Sequence, residues 1–105
     1  MAIVDVAIIP IGTDSPSVSS YVANVHKVLK EYEQSGKIRF QLTPMNTVIE
    51  GELSVLFEVI QAMHETPFKE GIQRVATTIR IDDRRDKTRK MEDKVAKVMD
   101  LLNEQ

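Results

Sequence analysis

Leu42-Thr43-Pro44-Met45-Asn46-Thr47-Val48-Ile49-Glu50-Gly51 is the stretch on which the reading of this fold depends. An alternating apolar pattern enters it, stops at Pro44, turns at Met45-Asn46 and resumes at once. Proline cannot donate to a strand ladder and asparagine tolerates turn geometry, so the segment reads as a β-hairpin. On the incoming arm Ile38, Phe40 and Leu42 alternate with Arg39, Gln41 and Thr43, the pattern of a half-buried strand. The outgoing arm runs from Asn46 to Glu50, and Gly51-Glu52 is expected to break it.

Outward from the hairpin the remaining elements fall into place. Residues 2–10 are rich in β-branched side chains and apolar on both faces apart from Asp5, which predicts a central strand covered on both sides. Residues 12–17 are a loop by composition. Val18, Tyr21, Val22, Val25, Val28, Leu29 and Tyr32 then form an apolar stripe of helical period, capped by Ser15 or Ser17 and closed by Gly36. Leu53, Leu56, Phe57, Ile60 and Met63 mark a second helix, expected to end before Pro67. Between Ile72 and Asp82 a fourth strand sets Val75, Thr77, Ile79 and Ile81 against Arg74, Ala76, Thr78 and Arg80. Met91, Val95, Val98 and Leu102 give a last helix a narrow seam suited to one partner.

The order is β-α-β-β-α-β followed by α, within a single domain spanning residues 1–105. A split βαβ sandwich is the standard solution for that order, with an antiparallel sheet and two helices on one face. The other face would carry Asp5 and Ala7 beside Gln41, Thr43 and residues of the fourth strand. It is too mixed for a core and too apolar in its first strand for bulk water. A second subunit, or the last helix, is expected to cover it.

Composition excludes several functions. The chain has no cysteine, so disulfides, thiolate metal sites and cysteine nucleophiles are out. His26 and His64 have no acidic cluster at ligand spacing, so no metal site is expected, and both read as surface residues on helices. A net charge of −2, from 14 basic and 16 acidic residues, argues against nucleic acid as partner. The aromatic-rich strand motif that stacks RNA bases is also missing. No apolar run approaches the roughly 18 residues of a membrane span, and the N-terminus does not read as a signal peptide. A cytoplasmic protein is expected.

The polar constellations each have a plain structural reading. Thr43, Asn46, Thr47 and Glu50 could bind a small polar ligand, or simply serve the turn. Thr13, Ser15 and Ser17 sit where a helix start could attract an anion, but without a phosphate-loop spacing they suit N-capping better. Tyr21 fits the apolar stripe and could also line a pocket beside the preceding loop. Arg74, Thr78 and Arg80 share a strand face and could meet an anion, an interface or solvent. The charged run from Asp82 to Lys87 reads as solvated surface or an intersubunit ion network. No nucleophile–base pair or nucleotide fingerprint emerges, so an enzyme is not expected.

Taken together, Ile8-Ile9-Pro10-Ile11-Gly12, Ser17-Val18-Ser19-Ser20-Tyr21-Val22, the 42–51 hairpin and the 71–84 segment resemble the thiamine-binding protein family over nearly the whole chain. The resemblance implies an α+β, ferredoxin-like βαββαβ sandwich with an extra C-terminal helix. It also implies a homo-oligomer, dimer or tetramer, joined through its sheets. The implied function is non-catalytic binding of thiamine or its hydroxymethylpyrimidine part, with no other cofactor. The ligand is expected in a pocket between the sheet and the loops, lined by Thr13, Ser17, Tyr21, Thr43, Asn46, Thr47 and Glu50, with Thr78 as a further candidate. Family members often carry Gly at the position of Asn46 and Lys at that of Arg80. A structural or regulatory oligomer without a thiamine ligand is the alternative.

Overall fold

The computed structural model describes residues 1–12, 19–86 and 91–103. Its elements are β1 (Ala2–Ile11), α1 (Ser19–Gln34), β2 (Ile38–Leu42), β3 (Thr47–Gly51), α2 (Leu53–Lys69), β4 (Arg74–Asp82) and α3 (Met91–Asn103). The strands form one four-stranded antiparallel sheet in the order β2-β3-β1-β4. β1 is interior to the sheet, as its two-sided apolar composition predicts. The architecture is the expected α+β sandwich with a C-terminal helix.

Register assigns every strand residue to a face, because opposed residues on antiparallel strands point the same way. Val4 faces Ile49 on one side and Ile81 on the other, and Ile49 in turn faces Phe40. Ala2, Val4, Val6, Ile38 and Ile49 thereby form a buried floor, closed by Val25 and Leu29 of α1 and Leu56, Val59, Ile60 and Met63 of α2. The opposite face carries Ile3, Asp5, Ala7 and Ile9 of β1, with Val48 and Glu50 of β3, Arg39 and Gln41 of β2, and Ala76, Thr78 and Arg80 of β4. No helix of the described residues is long and apolar enough to cross a membrane.

Both central helices end on a glycine in the left-handed region. At Gly36 (φ 78°) the Lys37 N–H donates to the Tyr32 carbonyl and the Gly36 N–H to the Glu33 carbonyl. Gly71 (φ 94°) repeats the pattern with Ile72 to Pro67 and Gly71 to Phe68. Each pair of bonds satisfies terminal carbonyls that would otherwise be orphaned. The half-buried Tyr32 phenol donates to Glu58 at 3.3 Å, joining α1 to α2; burial first, then the Glu58 carboxylate, holds its pKa above the ordinary value.

Two expectations about boundaries are corrected. α2 does not end before Pro67 but carries it in its last turn. Proline removes one N–H there, yet its carbonyl still accepts from Glu70 and Ile72, so the helix closes through Gly71 instead. Gly51 does not break β3 but ends it, paired with Ala2 and Ile38. A Cβ at Gly51 would lie 3.1 Å from the Lys37 carbonyl oxygen and 3.3 Å from Ile38 Cγ2, so any side chain there would press on β2 and close packing favours glycine. The cap expected from Ser15 or Ser17 lies outside the described residues.

α3 stands apart from the sandwich. Its start is tied to the open face by Arg39–Glu92 and Lys94–Asp82 ion pairs. Beyond that its side chains are exposed, including Val95, Val98 and Leu102 of the predicted seam. The Cα radius of gyration is 15.4 Å, against about 13 Å for a compact domain of this length. The expected helix partner is therefore not found among the described residues of this chain.

Candidate functional site

β1 outruns its neighbour. β3 pairs with β1 only from Ala2 to Val6, whereas β4 follows β1 as far as Ile11. The step leaves a corner beside the second half of β1, bounded by the hairpin turn, by α1 and by the end of α2. A cavity of about 290 Å³ occupies that corner. Its walls are largely apolar, with Val6, Ile8, Leu29, Met63 and Pro67 among them, and Tyr21, His26, Thr43, Asn46 and Thr47 supply polar groups. No carboxylate, ammonium or guanidinium stands among the described lining residues.

The hairpin's polar residues are organised around one hydroxyl. Thr43 Oγ1 donates to Asn46 Oδ1 at 2.7 Å and accepts from the Asn46 N–H at 3.0 Å and the Met45 N–H at 3.3 Å. The Thr43 N–H closes the turn onto the Asn46 carbonyl at 2.9 Å. The turn is thus fixed by its own side chains, and the Asn46 amide is oriented with its oxygen already engaged. Thr47 follows in β3 on the helix-covered face, opposite Val6 and Leu42, and is buried. Neither its hydroxyl nor that of Tyr21 bonds another described residue.

His26 was not among the residues that sequence reasoning placed in a site. It is half-buried in the cavity wall, with its ring edge-on to Phe40 at 5.1 Å and 81° between planes. Its Nδ1 is buried without a hydrogen-bond partner. A buried polar atom left unpaired is costly, and such atoms in native proteins call for an explanation. A signal for His26 was available: it lies four residues after Val22 and three before Leu29, at the border of the apolar stripe.

The structure sorts the predicted ligand residues by face. Tyr21, Thr43, Asn46 and Thr47 come together at the cavity. Glu50 lies on the opposite face, facing Ile3 and Arg39, with its carboxylate buried 3.7 Å from the Arg39 guanidinium. Thr78 is also on that face, opposite Ala7. Thr13 and Ser17 lie outside the described residues. His64, read as a surface residue, instead bonds Thr77 Oγ1 through Nδ1 at 2.6 Å and ties α2 to β4. Arg80 is engaged by Asp5 at 2.7 Å on the exposed side of the sheet. Among the described residues no group of His, Asp or Glu could hold a metal ion.

Comparison with known proteins places this geometry in a lineage. The sequence profile of the family described as "Thiamine-binding protein" matches residues 4–99. The UPF0045 protein YqgV of Bacillus subtilis is 66% identical over 93% of this chain and 94% of its own length. A UPF0045 protein of Staphylococcus xylosus is 62% identical over 99% of this chain and 97% of its own. The solved structure of the Methanocaldococcus protein MJ1052 superimposes with a TM-score of 0.82 at 31% identity, covering 92% of this chain and 94% of that one.

Proposed function

This chain belongs to the thiamine-binding protein family, and we propose that it binds thiamine or a thiamine-related pyrimidine without catalysis, as a carrier, buffer or sensor. The observation that carries this reading is the corner cavity, an apolar slot with a few convergent polar groups. A flat aminopyrimidine presents ring-nitrogen acceptors and an amino donor. The Thr47 and Tyr21 hydroxyls, the Asn46 amide and the His26 imidazole are side chains able to match them. Apolar neighbours such as Ile8, Met63 and Pro67 suit the ring faces.

The absence of a carboxylate among the described lining residues bears on which part of thiamine enters. Among the described lining residues a thiazolium would meet no counter-charge, whereas a pyrimidine needs none. The pyrimidine end is therefore the part that fits, with the thiazolium left toward solvent. Glu50, on the far face, takes no part. The exposed α3 seam and the open sheet face favour self-association as a dimer or tetramer, a state compatible with either a binder or a purely structural oligomer.

Titration calorimetry on ligand-stripped protein tests the reading. Thiamine and hydroxymethylpyrimidine should each give saturable binding near one site per chain, with similar affinities. Thr47→Ala should weaken binding about tenfold, the loss of one hydrogen bond to a buried partner, while Glu50→Gln leaves affinity unchanged. Absence of heat with either compound from a folded oligomer would favour the structural alternative.

A further inference from the structure

We propose that the hairpin turn fixes the polarity of the cavity. Thr43 holds the Asn46 amide so that only its NH2 is left to a ligand. Asn46 thereby selects molecules that bring a bare ring nitrogen or carbonyl oxygen to that point. Resting on the reading of the cavity as a pyrimidine site, this makes Asn46 the group that decides its selectivity. Residues 43–46 link the last ladder pair of the hairpin, Leu42 and Thr47. Pro44 has no N–H, so the turn leaves the N–H groups of Met45 and Asn46 to be satisfied. The Thr43 hydroxyl oxygen takes both, at 3.3 and 3.0 Å. Both of its lone pairs are then used, and its single hydrogen must go to an acceptor.

That hydrogen decides the orientation of the amide. The Asn46 main-chain carbonyl, 3.0 Å away, already accepts the Thr43 N–H at 2.9 Å. The terminal amide atom lies closer, at 2.7 Å. A nitrogen in that place would turn a donor toward an oxygen whose lone pairs are spent, so the atom is Oδ1. The NH2 is then turned away from Thr43. It has no partner among the described residues, although Asn46 is half-buried and lines the cavity. An amide donor at the edge of an apolar slot gains most from an acceptor that arrives with the ligand.

No other polar side chain among the described lining residues is fixed in this way. The Thr47 and Tyr21 hydroxyls bond no other described residue, and each can donate or accept by rotating its hydrogen. The His26 imidazole, with Nδ1 unpartnered, can place its proton on either nitrogen. These three adapt to whatever group faces them. Asn46 cannot, because turning its amide over would break the Thr43 bond and set a donor against filled lone pairs. Selectivity therefore falls on Asn46, with Thr43 as the positioning residue behind it. A neutral aminopyrimidine meets the requirement through either of its ring nitrogens. A site that hydrogen-bonds a ligand group rejects the analogue lacking it, since its own polar group is then left unpaired.

Calorimetry with hydroxymethylpyrimidine and with the pyridine analogues that carry C–H in place of one ring nitrogen or the other tests the assignment. The unmodified protein should bind one analogue about tenfold more weakly than the pyrimidine, the loss of one hydrogen bond. Asn46→Ala should bind that analogue and the pyrimidine equally, because the group that told them apart is gone. Asn46→Asp keeps an oxygen for Thr43 but replaces the NH2 by a second acceptor. It should weaken pyrimidine binding about a hundredfold with an unchanged thermal midpoint. Thr43→Ala frees the amide to turn and should bring the ratio of the two affinities close to one, whereas Thr43→Ser, which keeps the hydroxyl, should preserve it. Equal binding of pyrimidine and both analogues by the unmodified protein would overturn the role of Asn46. So would a preference that survives in Asn46→Ala, or pyrimidine binding by Asn46→Asp as tight as before. A preference unchanged in Thr43→Ala would overturn the lock. No heat with the pyrimidine from the unmodified protein would overturn the pyrimidine reading itself, and this assignment with it.

Discussion

The two faces of the sheet are built from the same strands yet solve different problems. On the covered face, Ala2, Val4, Val6, Ile38 and Ile49 are buried against two helices. On the open face, one residue along in each strand, stand Ile3, Asp5, Val48 and Arg39, and among the described residues α3 reaches that face at its start, through Glu92 and Lys94. β1 is apolar on both faces, but only one becomes core within the chain. Apolar patterning alone therefore does not tell which face of a strand becomes core within one chain. The polar members divide the same way. Thr47 faces a cavity on the covered side, while Glu50, three residues on, is buried on the open side beside Arg39.

The largest effect expected within this comparison comes from neighbours in β3. Ile49 is fully buried, so Ile49→Ala leaves a cavity in the covered face and should cost about 2–5 kcal/mol in urea unfolding. Val48 points to the open face and faces Asp5 and Gln41. Val48→Ala should cost under about 1 kcal/mol in the single chain, and a cost that rises with protein concentration would mean that a second copy covers this face. Equal costs at both positions and at all concentrations would erase the distinction between the faces.

Gly51 gives the next effect, because it sits where the covered face meets the start of α2. Gly51→Ala would push a Cβ against the Lys37 carbonyl and Ile38 Cγ2 and should cost about 1–3 kcal/mol, read as a lowered midpoint in thermal unfolding. A neutral result would mean that β2 can shift outward, and that the covered face is less tightly fixed than its packing indicates.

Most of the fold was legible in the sequence because it rests on local signals. Period-two alternation gave β2 and β4, period-3.6 stripes gave α1 and α2, and Gly36 gave a helix end. The errors arose where tertiary contacts decide. Pro67 stays in its helix because Gly71 and Ile72 complete the end downstream. Gly51 is a packing residue of β3, which no local rule distinguishes from a breaker. The cavity was half legible. The hairpin placed Thr43, Asn46 and Thr47 together, but which of the neighbouring polar residues share a side depends on register. Alternation alone separates Thr47 from Glu50 once the strand is accepted, yet His26 joins them only through the approach of α1 to β2.

The smallest effect lies wholly on the open face, and its smallness is the point. Arg80 donates to Asp5 at 2.7 Å, a good distance, but the guanidinium is 81% exposed. An ion pair in high dielectric gains little over the separately hydrated charges, and long side chains lose freedom in making it. Arg80→Ala should therefore change the stability of the dissociated chain by under about 1 kcal/mol, and less in high salt. A loss of several kcal/mol would mean that the pair is desolvated in the native protein, and hence that a partner covers the open face over Asp5. Sedimentation of the same variant would then test the point directly, since a contact through that face would be weakened by the substitution.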